Sequence, residues 1–144
     1  MWLIYSLAAS LFWGLTYVLN ERVYKHISFL TSLVITSFFA FVTLGLVSYF
    51  TRNLQKDLHT IVSSEAVLWL VGGGVVTLIV AEVFIGLSIS SKNATLSGLI
   101  EISYPIFIAL FSYLLFKENQ LTLPTGIGAS LIFIGIAVIY FFNK

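Results

Sequence analysis

The chain contains no cysteine in its 144 residues. That excludes disulfides, thiolate nucleophiles and thiolate metal ligands, and leaves the compartment open. Charge is nearly as scarce. Asp, Glu, Lys and Arg make up 9% of the chain, against about 25% in a soluble domain. So few charges cannot cover a water-facing surface. The formal net charge is +1, and no basic cluster offers a footprint for nucleic acid. Histidine occurs only as His26 and His59, both in polar connections. Neither has the spacing from Asp or Glu that a metal site needs, so no metal or cofactor is expected. No Ser/His pair or HExxH motif lies at membrane depth, and an enzyme is not expected. The opening Met1-Trp2-Leu3-Ile4-Tyr5 lacks a basic n-region. The first apolar run is therefore expected to be a retained span, not a cleaved leader.

Apolar residues fill the space that charge leaves. The chain is 59% hydrophobic and 16% aromatic, with a mean hydropathy of +1.04. Its length allows one domain, residues 1–144, and the expected solvent is a lipid bilayer. A spanning helix needs about 20 mostly apolar residues. Five segments qualify: Trp2–Asn20, Ile27–Phe50, Ala66–Ile89, Ala94–Phe116 and Leu121–Phe142. Apolar runs of this length exclude a membrane barrel, whose strands alternate. The expected fold is an all-α integral membrane bundle of five transmembrane helices. In the fifth, Thr122 can cap and Pro124 suits the first turn. The one long connection, Thr51–Glu65, places Leu54, Leu58, Ile61 and Val62 at helical spacing among Arg52, Lys56, Asp57 and His59. It reads as a short amphipathic helix, about 53–62, on the membrane surface.

Five spans put the ends on opposite sides, so positive charges can report orientation. One side carries Arg52, Lys56 and Lys117, and the other Arg22, Lys25, Lys92 and Lys144. The near balance fits two readings. One is a single orientation that is weakly specified or fixed by a larger assembly. The other is insertion both ways, with pairing to an inverted copy.

Two carboxylates lie deep in the apolar runs. Glu82 precedes Ser91 by nine residues, and Glu101 follows Lys92 by nine. With a turn at Ser90-Ser91-Lys92-Asn93, each acid falls roughly 13 Å along its helix at about 1.5 Å per residue. Pro105 has no N–H for the Glu101 carbonyl, so a kink is expected beside the acid. Small and polar residues form stripes on the same helices. The first span carries Ser6, Ser10, Trp13, Gly14, Tyr17 and Glu21. The second carries Ser32, Thr36, Ala40 and Thr43, and the third Gly74, Leu78, Glu82 and Gly86. The fourth carries Ala94, Ser97, Gly98, Glu101, Tyr104, Pro105, Ile108 and Ser112. Lipid offers polar atoms no partner, so such stripes are read as facing protein or a cavity.

An ionised carboxylate in mid-membrane costs about 2.5–3.5 kcal/mol on insertion scales. No Lys or Arg lies at matching depth. Within this chain the partners are hydroxyls, the Trp13 N–H, Tyr17, Tyr104, or the other acid. One reading is that Glu101 and Glu82 exchange protons or bind a cationic substrate. The other is that they stay protonated and join helices as hydrogen-bond donors.

The motifs then carry a resemblance. Ser103-Tyr104-Pro105, an apolar helix, Glu118, Gly128-Ala129-Ser130-Leu131-Ile132 and Gly135 occur in that order. Ala8-Ala9-Ser10-Leu11-Phe12-Trp13-Gly14 opens the chain, and Ser90-Ser91-Lys92-Asn93-Ala94 sits between the third and fourth spans. Together they resemble one EamA domain of the drug/metabolite transporter superfamily over nearly the whole chain. The resemblance implies a five-helix half of a transporter, most members having two halves of inverted topology. It implies a cavity between halves, lined by the third and fourth helices with help from the first. Glu101, Glu82, Tyr104, Pro105, Trp13 and Tyr17 are the substrate- or proton-binding residues expected on that basis. The four-helix members place their acid in the first helix. This chain has none at mid-membrane there, so that mechanism does not carry over.

The expected function is secondary transport of a small molecule across the cytoplasmic membrane. It would proceed by alternating access, in an antiparallel homodimer or with a second five-helix half. Two alternatives stand beside it: an uncoupled facilitator of the same fold, and a non-transporting accessory or scaffold subunit.

Overall fold

A computed structural model describes residues 1–119 and 122–142. Leu121, the expected start of the fifth span, and Lys144, one of the counted charges, lie outside the described residues. All the regular structure among them is helical. The elements are α1 (Trp2–Val23), α2 (Phe29–Phe50), α3 (Leu54–Ser63), α4 (Glu65–Ser91), α5 (Ala94–Glu101), α6 (Tyr104–Phe116) and α7 (Leu123–Phe142). Among the described residues, five stretches are long and apolar enough to cross a membrane: α1, α2, α4, α5 with α6, and α7. Most of their large apolar side chains, such as Phe12, Phe41, Trp69 and Leu115, are exposed. In water that would be untenable; in lipid it is the favoured arrangement.

Local chemistry sets the ends. α2 starts at Phe29, later than the hydrophobic run suggests, because the Ser28 Oγ accepts the Thr31 N–H at 3.2 Å and caps the helix. α5 starts after Asn93, whose Oδ1 accepts the Leu96 N–H at 2.8 Å. α7 starts with the Thr122 Oγ1 accepting the Thr125 N–H at 3.4 Å and with Pro124 in its first turn. α6 ends on Lys117, in the left-handed region at φ 61°. The Lys117 and Glu118 N–H groups turn back to the carbonyls of Tyr113 and Ser112, which satisfies two of the helix's last acceptors.

The fourth span departs from a single kinked helix: it is two helices. Ile102 and Ser103 sit at ψ −6° and −15°, and their N–H groups bond to the carbonyls of Gly98 and Ile100. The cause is Pro105, which has no N–H for the Glu101 carbonyl and whose ring crowds it.

The chain forms two packing units. Residues 18–91 make one. There α2 packs on α4, and the short α3 packs on both. α3 is amphipathic, with Ile61 partly buried and Lys56 and His59 exposed. The ring of Phe29 lies over Gly86, where an added Cβ would come within 2.7 Å of it. The described residues of 1–17 and 92–144 make the other unit, in which α5 packs on α7. Ala94 and Ser97 of α5 are buried there.

Candidate functional site around Glu101

Within the second of these units, α1 and α5 meet at Tyr17 and Glu101. Trp13 and Tyr17 stand one turn apart on α1 with their rings edge to face, centroids 5.9 Å apart. Gly98 and Glu101 stand one turn apart on α5. The Tyr17 ring lies on Gly98, where an added Cβ would be 3.3 Å from Tyr17 Cδ2. The Tyr17 hydroxyl donates to Glu101 Oε2. Both side chains are partly buried, whereas Trp13 is exposed. Of the partners weighed for the acid from sequence, Tyr17 is one that meets it.

Glu101 is the last residue of α5. The carbonyls at a helix C-terminus carry negative partial charge, and Pro105 cannot donate to the Glu101 carbonyl. The surroundings are thus rich in acceptors, and the carboxylate is held by a neutral donor. Such a place suits a proton or a positively charged group and disfavours an anion. Tyr104 and Pro105 open α6 just beyond it, and both are exposed. Pro105 also lines a groove of about 390 Å³ with Ile106, Ala109, Thr125, Gly128 and Ile132. Apart from Thr125, the residues that line it are apolar.

Glu82 belongs to the other unit, partly buried on α4. One turn along, Gly86 receives Phe29, and Tyr24 meets Phe29 edge to face at 6.3 Å. Burial pushes the Tyr24 phenol above its usual range, and the Glu82 charge pushes it the same way. Tyr24 therefore lies within electrostatic reach of Glu82. Sequence reading passed over Tyr24, which lies beyond the first span, and Phe29, which opens the second apolar run without a polar feature to mark it. The placement of Gly86 four residues after Glu82 was the available signal.

Among the described residues, no group of three or more His, Asp or Glu is placed to hold a metal ion. Every buried side-chain nitrogen and oxygen among them has a hydrogen-bond partner.

Comparison with protein-family models matches residues 1–141 to the EamA-like transporter family. The chain belongs to the EamA-like transporter family. Comparison with curated proteins and with solved structures returned no match. As an EamA-like protein with five apolar spanning helices, it is a multi-pass membrane protein of the drug/metabolite transporter superfamily, with lipid as its environment.

Proposed function

We propose that this EamA-like chain is the working unit of a proton-coupled secondary transporter in the cytoplasmic membrane. Two five-helix units of opposite orientation, this chain and an inverted second copy, alternately open a midplane site to either side. Glu101 is the exchange point, binding a proton or the positive part of a small-molecule substrate, one replacing the other. Trp13, Tyr17, Tyr104 and Pro105 line the approach, and Glu82 is the second acid of the cycle.

The observation that carries this reading is the Tyr17–Glu101 hydrogen bond. A neutral phenol steadies the carboxylate without cancelling its charge, which leaves the charge available to a proton or cation. A lysine or arginine in that place would have occupied it permanently. The near balance of positive charge on the two sides supports the inverted pairing.

The test is transport in proteoliposomes with an imposed pH gradient, using a panel of labelled amines, amino acids and neutral metabolites. The expected result is accumulation driven by the gradient and lost in Glu101→Gln. Accumulation that ignores the gradient, with flux in Glu101→Gln unchanged, would make the protein a facilitator with structural acids. No flux for any class, from a protein held in one orientation, would favour the accessory-subunit reading.

A further inference from the structure

A glycine stands at position 98, one turn before the acid. Gly14 and Gly126 have nothing within 4 Å of where a Cβ would lie, and neither do the three glycines at 72–74. Gly98 differs. A Cβ there would meet Tyr17 Cδ2 at 3.3 Å and Cε2 at 3.6 Å. The first distance is tight enough that the ring would have to yield by a few tenths of an ångström. That ring carries the hydroxyl that donates to Glu101 Oε2. Within α1 the same ring meets Trp13 edge to face.

The geometry points to Gly98 as the positioning residue of the exchange site. Its missing side chain seats the Tyr17 ring against α5, at the height where the hydroxyl reaches the Glu101 carboxylate. Any side chain at 98 lifts the ring and weakens that contact, more for valine than for alanine. Gly98 itself touches neither proton nor substrate; it acts through Tyr17. This inference rests on the reading of Glu101 as the exchange point for its functional meaning, and on the packing alone for its geometry. The two parts are tested separately.

The geometric part is a double-mutant cycle on the full chain in mild detergent, followed by thermal unfolding. Gly98→Ala and Gly98→Val are combined with Tyr17→Phe, which keeps the ring and removes the hydroxyl. A valine that only crowds the ring costs the same with Tyr or Phe at 17. A valine that also breaks the Tyr17–Glu101 bond costs less once the hydroxyl is gone. The expected result is that the loss caused by Tyr17→Phe shrinks in Gly98→Ala and falls near zero in Gly98→Val. Gly14→Ala, with open space around it, should leave that loss unchanged. Strict additivity across the Gly98 cycle would overturn the inference. Should Gly98→Val fail to fold, the Gly98→Ala cycle still decides it.

The functional part uses protons alone as the probe. In a protein whose Trp2 and Trp69 are replaced by Phe, Trp13 is the sole tryptophan, and its emission reports the neighbouring Tyr17 ring. Acidification should change that emission in the native site, and the change should vanish in Glu101→Gln and in Tyr17→Phe. It should be reduced in Gly98→Ala and lost in Gly98→Val. No acid response in the native site would sink the exchange-point reading and leave the packing result standing. A full-sized response in Gly98→Val would sink the positioning role instead.

Discussion

The hydroxyl of Tyr17 donates to the carboxylate of Glu101 across 84 positions of sequence. The bond joins the first span to the fourth and places an acid beside a neutral donor. Its worth can be bounded. Side-chain hydrogen bonds between spanning helices average about 0.6 kcal/mol and reach about 1.7. A bond to a charged acceptor belongs near the upper end of that range. Tyr17→Phe should therefore destabilise the protein by about 1–1.5 kcal/mol. Chemical unfolding in mixed micelles measures this. A loss no larger than that of Tyr104→Phe, an exposed residue, would show that the bond carries no net stability.

This bond was only partly legible in the sequence. Glu101 stood out because carboxylates are rare in apolar runs, and Pro105 because its missing N–H falls on the Glu101 carbonyl. Tyr17 was one of several candidate partners, since a helical stripe gives a face but not the height at which a facing helix meets it. The hydroxyl stripes were less informative than they looked. Ser6 and Ser10 donate to the carbonyls of Trp2 and Ser6 at 3.1 and 3.0 Å. Thr36 of the second span turns back in the same way to Ser32 at 3.0 Å. A hydroxyl that satisfies itself on its own helix needs no partner and does not mark a protein-facing side. The division of the fourth span into α5 and α6 was legible only as a kink. Composition shows where a proline obstructs a helix, but not which residues between the two helices absorb the change, here Ile102 and Ser103.

Gly86 and Phe29 provide a packing prediction. A Cβ at 86 would lie 2.7 Å from Phe29 Cδ2 and 3.3 Å from Cγ. Cγ is close to the backbone, so the ring cannot escape by rotation alone and α2 must shift on α4. Overpacking of this kind costs about 1–3 kcal/mol, while replacing glycine by alanine in a helix gains about 1. Gly86→Ala should be destabilising on balance. Gly73→Ala, in the same helix with open space around it, should be neutral or mildly stabilising. Equal melting temperatures for the two variants would contradict the Phe29 contact.

Tyr24 predicts an alkaline limit. Burial, with the Glu82 charge adding to it, raises the folded-state proton affinity of the phenol above its unfolded value. Below the unfolded value, about pH 10, Tyr24 is neutral in both states and stability does not depend on it. As pH rises past that point, the unfolded chain ionises first. The folded state then binds more protons, and stability falls with pH. The fall ends once pH exceeds the raised folded value. Tyr24→Phe should reduce the alkaline loss, and Glu82→Gln should reduce it by a smaller part because burial is the larger cause. Unfolding followed between about pH 8 and pH 11 provides the measurement. A Tyr24→Phe profile that overlays the native one would remove Tyr24 from the explanation.

Orientation is the prediction on which the proposed assembly depends. The flanking positive charges, Arg52, Lys56 and Lys117 against Arg22, Lys25, Lys92 and Lys144, are nearly evenly divided, so the usual cytoplasmic bias gives little preference for either orientation. An inverted pair built from one chain requires both orientations in the same membrane. A reporter at the C-terminus, active in only one compartment at a time, should then give comparable signal on both sides. Adding one or two lysines beside Lys92 should tip the population strongly to one orientation, because the native balance is so close. Under the proposed mechanism that bias should abolish transport by the biased protein alone. Co-expression with a variant biased the opposite way by lysines beside Lys56 should restore it. A single orientation in the native protein, indifferent to added lysines, would rule out the inverted homodimer. The working pair would then need a different five-helix partner.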